Sequence, residues 1–259
     1  VIFNSAAALR GVGVPDSMVR DFPRLPRDLM GLLIYGSRAR GDSVEGSDLD
    51  VLALVPASRP SKTVGDVSVS FYTPAQLTTG IGTLFGAHLR RDAKILWDPS
   101  FALRRCIDVM GEVDATRLFA RASAMSSLFT TPHNDLPKYL VGMLRHARYL
   151  LRSGLYAQAI QNGEPCFSVR EIADRKRDPS LVELLASRRR DSASRTELDE
   201  CLSRLRELIG EFPASKHGSL EATIVNEWGA TGDLLSAAFL ILGSSGEGSI
   251  YAEVEKILL

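Results

Sequence analysis

The sequence predicts an α/β (α+β) unit over residues 1–105, followed by an all-helical domain over residues 106–259. Three observations carry this reading. Short apolar runs suited to buried strands occur at Gly31–Tyr35 and Leu49–Val55, and Val67–Tyr72 alternates apolar and polar side chains. Helical patterns alternate with these runs. After about residue 100 the strand patterns stop and helical periodicity takes over.

The elements follow in order. Residues 5–30 read as a helical lead-in, cut short by Pro15, Pro23 and Pro26. Gly31–Tyr35 is a strand that stops at Gly36. Ser37–Ser47 has room for one helical turn and then a loop through Gly41, Asp42 and Gly46. Leu49–Val55 is the next strand and ends at Pro56, after which residues 57–65 read as a polar loop. Val67–Tyr72 leads into a helix with Thr73 as N-cap and Pro74 at its first position. A helix over 83–92 and a strand at Lys94–Trp97 complete the unit. Helices are then expected at 100–110, 114–129, 135–153, 155–162, 168–174, 178–187, 194–212, 217–242 and 249–258, with Ser168 and Glu171 spaced as a capping box.

Composition narrows the function classes. With 31 basic and 31 acidic residues the formal net charge is zero, so nucleic acid would have to be met by a local patch. Nothing in the sequence approaches the ~20 consecutive apolar residues of a membrane span. The short apolar start lacks the basic region and long apolar core of a signal peptide, so a cytoplasmic protein is expected. Cys106, Cys166 and Cys201 are scattered, which points to free thiols in place of a disulfide framework or zinc site.

The chemistry concentrates in Leu32–Val55, LLIYGSRARGDSVEGSDLDVLALV. Strand periodicity puts Asp48 and Asp50 on one face, where two carboxylates repel unless a cation lies between them. Mg²⁺ suits such a pair, because it is held by one or two carboxylates plus substrate phosphates. Gly36 and Ser37 stand at a strand end where a helix can begin, so backbone N–H groups and a hydroxyl can approach phosphate. Arg38 and Arg40 add positive charge nearby. A phosphate cradle next to a metal pair is the apparatus of phosphoryl and nucleotidyl transfer.

Gly36-Ser37, ten intervening residues and then Asp48-Leu49-Asp50 resemble the signature of the DNA polymerase β superfamily of nucleotidyltransferases. The fuller string GSRARGDSVEGSDLDVLALV, with Arg38, Gly41 and Ser47, is similar to the minimal nucleotidyltransferases, a group with antitoxin, toxin and aminoglycoside-modifying members. The resemblance implies a mixed sheet flanked by helices, with a helical C-terminal domain that supplies acceptor contacts. It also implies a nucleoside triphosphate, ATP first among them, bound through Mg²⁺, and transfer of a nucleoside monophosphate with release of pyrophosphate. By matching position, Asp48 and Asp50 would ligate metal. Gly36 and Ser37 would hold the triphosphate, with Arg38, Arg40 and Ser47 alongside.

The sequence departs from that pattern at one place. The family sets a third carboxylate on the next strand, where alignment on Tyr72-Thr73-Pro74 puts Ser68. Asp66 shares the strand face of Ser68 by period two but lies ~7 Å earlier. A bulge at Gly65 would bring it in as the third catalytic carboxylate. Two functions follow. One is an enzyme that moves a nucleoside monophosphate to a hydroxyl of tRNA, protein or a small molecule. The other is a catalytically impaired nucleotide-binding module of antitoxin or defence type. Secondary candidates are His88 with Asp92 one helical turn on, and the basic face Arg145, Arg148 and Arg152. The Ser187–Arg190 cluster and the acidic residues Glu164, Glu171 and Asp174 complete the set.

Overall fold

The structure is a computed structural model that describes residues 3–44, 46–131, 135–185, 193–230 and 232–243. The chain divides into two compact units, Val1–Val113 and Asp114–Leu259.

The first unit begins with α1 (Ser5–Gly11), which ends before Gly13, and α2 (Asp16–Asp21), which Pro15 precedes as N-cap. Next come β1 (Gly31–Tyr35), α3 (Gly36–Arg40), β2 (Leu49–Leu54), β3 (Lys62–Val64) and β4 (Val67–Tyr72). Then follow α4 (Pro74–Thr78), α5 (Leu84–Asp92), β5 (Lys94–Trp97) and α6 (Ala102–Asp108). The five strands form one mixed sheet in the order β3-β4-β2-β1-β5. β1 runs antiparallel to β2 and β5, β2 parallel to β4, and β3 antiparallel to β4.

The two faces of this sheet have different roles. Leu49, Val51 and Ala53 pack with Leu32, Ile34, Val67, Val69 and Phe71 into a core capped by Leu9, Met18 and Val19 of α1 and α2. The alternate residues point the other way, toward α4 to α6. There Tyr35 and Tyr72 each set a ring 5.9 Å from Phe85 of α5. The strand expectations hold at β1, β2, β4 and β5, and the Thr73 cap is present as a full capping box with Gln76. β3 is a strand where a loop was expected. Its three residues are all exposed, so no burial pattern marks it in the sequence.

The second unit is helical. Its elements are α7 (Ala115–Ser126), a 3₁₀ turn at Ser127–Thr130, α8 (Asp135–Lys138) and α9 (Leu140–Gln161). They continue with α10 (Val169–Lys176), α11 (Ser180–Leu185), α12 (Arg195–Ile209), α13 (Leu220–Asn226) and α14 (Asp233–Gly243). α9 forms the spine, with α7, α12 and α14 packed along it.

Two expectations are corrected here. The break near residue 154 is absent, and α9 is one 22-residue helix. Gly154 stays helical, with Leu208 of α12 packed where its side chain would be. Conversely, the single helix expected over 217–242 is two helices, parted by Gly229 at φ +86°. The expected helix at 249–258 lies outside the described residues. All three cysteines are buried and free, and burial pushes the Cys201 thiol up to about 12. Among the described residues no helix is long and apolar enough to cross a membrane.

Candidate active site

Gly36 ends β1 and opens α3 with φ +76°, a conformation that favours glycine. There is a second reason for its bare Cα. A Cβ built there would lie 2.9 Å from Oδ2 of Asp50. The Gly-Ser turn and the Asp50 carboxylate therefore meet in space, fourteen residues apart in sequence. Asp50 sits on the central strand β2, opposite Tyr35 of β1 on one side and Ser68 of β4 on the other. Asp48 precedes β2 by one residue, so the pair straddles the strand start. Ser37 is half-buried in α3, and its carbonyl accepts from the N–H groups of Gly41 (2.9 Å) and Asp42 (3.1 Å).

Ser68 stands in direct register with Asp50, and this pairing runs unbroken from Leu49↔Val67 to Leu54↔Tyr72. The bulge that would move Asp66 toward Asp50 is therefore absent. Gly65 and Asp66 instead form the two-residue hairpin turn between β3 and β4, with Gly65 at φ +55°. Asp66 is half-buried in the turn just before β4, and its carbonyl accepts from the Leu49 N–H at 2.7 Å. It thus lies one step before the first paired residues, on the strand next to Asp48. Among the described residues no group of three or more His, Cys, Asp or Glu side chains is placed to hold a metal ion. Asp48 and Asp50 carry oxygen ligands of the kind a hard divalent cation takes.

Residues 21–128 match the family model described as nucleotidyltransferase domain. A solved structure of a nucleotidyltransferase-like protein from Exiguobacterium sibiricum is similar at 14% identity and a TM-score of 0.32, covering 80% of this chain and 74% of that one. At that TM-score the likeness bears no weight on the fold or the site. No curated protein matches.

Within the first unit the two arginines of α3 have structural engagements. Arg38 donates from Nε (3.1 Å) and Nη2 (2.6 Å) to the Ser47 carbonyl. Ser47 in turn accepts the Val44 N–H on its Oγ at 2.8 Å. Arg38 thus clamps the end of the loop that delivers Asp48. Arg40 reaches Asp42 (3.3 Å), Asp92 (3.3 Å) and Nε2 of His88 (3.0 Å). It ties α3 and the start of the same loop to α5. His88 also sets its ring edge-on to Tyr35, 6.0 Å between centroids.

Burial, then the Arg40 and Arg91 charges, push His88 down to about 3. At neutral pH it is an uncharged imidazole. The guanidinium can only donate, so Nε2 accepts from Arg40 and the ring proton belongs on Nδ1. His88 is accordingly a poor proton acceptor for catalysis and a good anchor for Arg40. His88 and Asp92, one turn apart, were visible in the sequence as a pair. Asp42 was missed as the third contact of Arg40, because a Gly-Asp in a loop carries only a turn signal.

The helical unit revises the secondary candidates. Arg148 is buried, donates to the Leu184 carbonyl at 2.8 Å and pairs with Glu197 at 3.0 Å. Arg152 donates to the Leu185 carbonyl at 3.0 Å. Both cap the last carbonyls of α11, which makes them internal supports instead of a basic face. Glu164 and Glu171 pair with Arg175 at 3.5 and 2.5 Å. The Ser187–Arg190 cluster lies outside the described residues.

Proposed function

We propose that this chain is a Mg²⁺-dependent nucleotidyltransferase that moves a nucleoside monophosphate from a triphosphate, with ATP the first candidate, to an acceptor hydroxyl. The observation that carries the reading is the approach of Asp50 to the bare Cα of Gly36. A phosphate-cradling turn and a metal-ligand carboxylate are built within contact distance of each other.

The residues take these parts. The backbone at Gly36-Ser37 and the Ser37 hydroxyl hold the triphosphate. Asp48 and Asp50 hold the cation, which when bound would neutralise charge on the phosphate oxygens. Arg38 fixes the Ser47 carbonyl and so the approach of Asp48. The acceptor oxygen attacks the α-phosphorus in line. The bond from that phosphorus to the bridging oxygen breaks, and pyrophosphate leaves. The hydroxyl proton goes to a carboxylate, for which Asp66 just before β4 is the candidate.

A second reading has its own observation. Ser68 in direct register with Asp50 leaves a hydroxyl where the related enzymes set a carboxylate, which favours a nucleotide-binding regulator of antitoxin or defence type. One experiment divides the two. Each α-labelled nucleoside triphosphate is incubated with the protein, Mg²⁺ and a cell extract, and label is sought on RNA, protein and small molecules. Transfer that Asp48→Ala abolishes supports the enzyme. Triphosphate binding without transfer under any condition supports the regulator.

A further inference from the structure

On the face of the sheet away from Asp50 there is a pocket of about 290 Å³. Its floor is Phe71 with Leu25, Pro26 and Pro60, and its rim is Arg24, Arg59 and Lys62. Phe71 pairs with Ala53, three residues beyond Asp50, so its side chain points to the opposite side of the sheet from Asp50. The pocket is therefore separate from the candidate active site.

Three cations around one concavity repel one another, and among the described residues no carboxylate lines it. Asp28 neutralises Arg59 from outside, with its oxygens 2.7 and 2.9 Å from Nη2. Arg24 and Lys62 have no such partner among the described residues. Their charges stay on the rim above an apolar floor. Lys62 is fixed there by its strand, as it pairs with Val69 in the edge strand β3. Such a site suits a molecule with an anionic end for the rim and an apolar or aromatic body for the floor. The volume is near the lower bound of ~300 Å³ for small-molecule pockets, so the occupant is small. Arginine's planar fork matches phosphate better than it matches a point anion.

We infer that this pocket binds a small organic phosphate with an apolar or aromatic body, independently of the nucleotide at Asp48 and Asp50. The test is calorimetric titration of the full chain in EDTA with AMP, inorganic phosphate and adenosine as probes. AMP is expected to bind more tightly than either fragment. Arg24→Gln combined with Lys62→Gln is expected to weaken AMP by about tenfold or more, as loss of charge-assisted hydrogen bonds should. Asp48→Asn combined with Asp50→Asn is expected to leave AMP binding unchanged. Arg24 and Lys62 are exposed, so their replacement spares the core. Four results would overturn the inference. These are no AMP binding in EDTA, equal binding of AMP and inorganic phosphate, binding indifferent to the Arg24 and Lys62 changes, or binding lost with the aspartates.

Discussion

Gly36 has no room for a side chain on two counts, its positive φ and the Asp50 carboxylate beside its Cα. Gly36→Ala is therefore expected to lower stability by about 1–3 kcal/mol, the usual cost of a non-glycine residue held in such a conformation. Denaturant unfolding measures the first loss, and triphosphate binding should fall with it. Ser68 allows the opposite kind of change. In register with Asp50, Ser68→Asp would put a third carboxylate beside the pair. Mn²⁺ binding in the presence of triphosphate, followed by electron paramagnetic resonance, should then rise from one ion toward two. An unchanged count would mean that the β4 position does not face the site. At this scale much was legible, because Gly36-Ser37 and Asp48-Leu49-Asp50 are a spaced pattern of distinctive residues. What was not legible was the engagement of the side chains between them. Nothing local says that Arg38 will turn back to the Ser47 carbonyl and Arg40 outward to α5, since their partners lie nine and fifty-two residues away.

Among elements, the loop between α3 and β2 depends on the clamps at its two ends. Arg38→Ala removes the contacts to Ser47 and should loosen residues 41–48. Faster amide exchange in that loop, without nucleotide present, is the expected result. Protection equal to the wild type would show that Arg38 does not hold it. In the helical unit, α14 crosses α9 so closely that a Cβ on Gly142 would lie 2.1 Å from the Ile241 carbonyl oxygen. Gly142→Ala should destabilise by about 1–3 kcal/mol through overpacking, read as a fall in the denaturant midpoint. The sequence could not announce this crossing. A glycine within helical periodicity looks the same whether it breaks the helix, as Gly229 does, or admits a neighbour, as Gly142 and Gly154 do. The strands were easier, since each buried strand is a short apolar run, and only the exposed β3 escaped that test.

At the scale of the whole molecule, stability should depend on acid. His146 of α9 is buried between Phe129 and Tyr149, and its Nε2 has no hydrogen-bond partner among the described residues. Burial pushes it down to about 4, against a hydrogen bond to the Met125 backbone that raises it. The folded state thus binds this proton less readily than the unfolded chain, whose histidine titrates near 6.5. Its contribution is intact above pH ~6.5 and is lost as pH falls from there toward 4, on the order of 3 kcal/mol in full. Unfolding free energy measured across that range should fall with acid. In His146→Gln the slope should flatten.

That a helical region follows the sheet was readable from the change in periodicity along the chain. The chemistry of the acceptor was not, because no spacing in the helical unit distinguishes an acceptor contact from an internal support. Arg148 and Arg152 show this directly, as a basic stripe that turns out to cap a neighbouring helix.

The proposed reaction is nucleotidyl transfer by a site made of Gly36, Ser37, Asp48 and Asp50. Its most direct test is to supply the triphosphate labelled either at the α-phosphate or at the γ-phosphate, with Mg²⁺ and extract. Acceptor label is expected from the α-position only, with pyrophosphate released, and is expected to be lost in Asp50→Asn. Label arriving from the γ-position, or α-label transferred undiminished by Asp50→Asn, would contradict it.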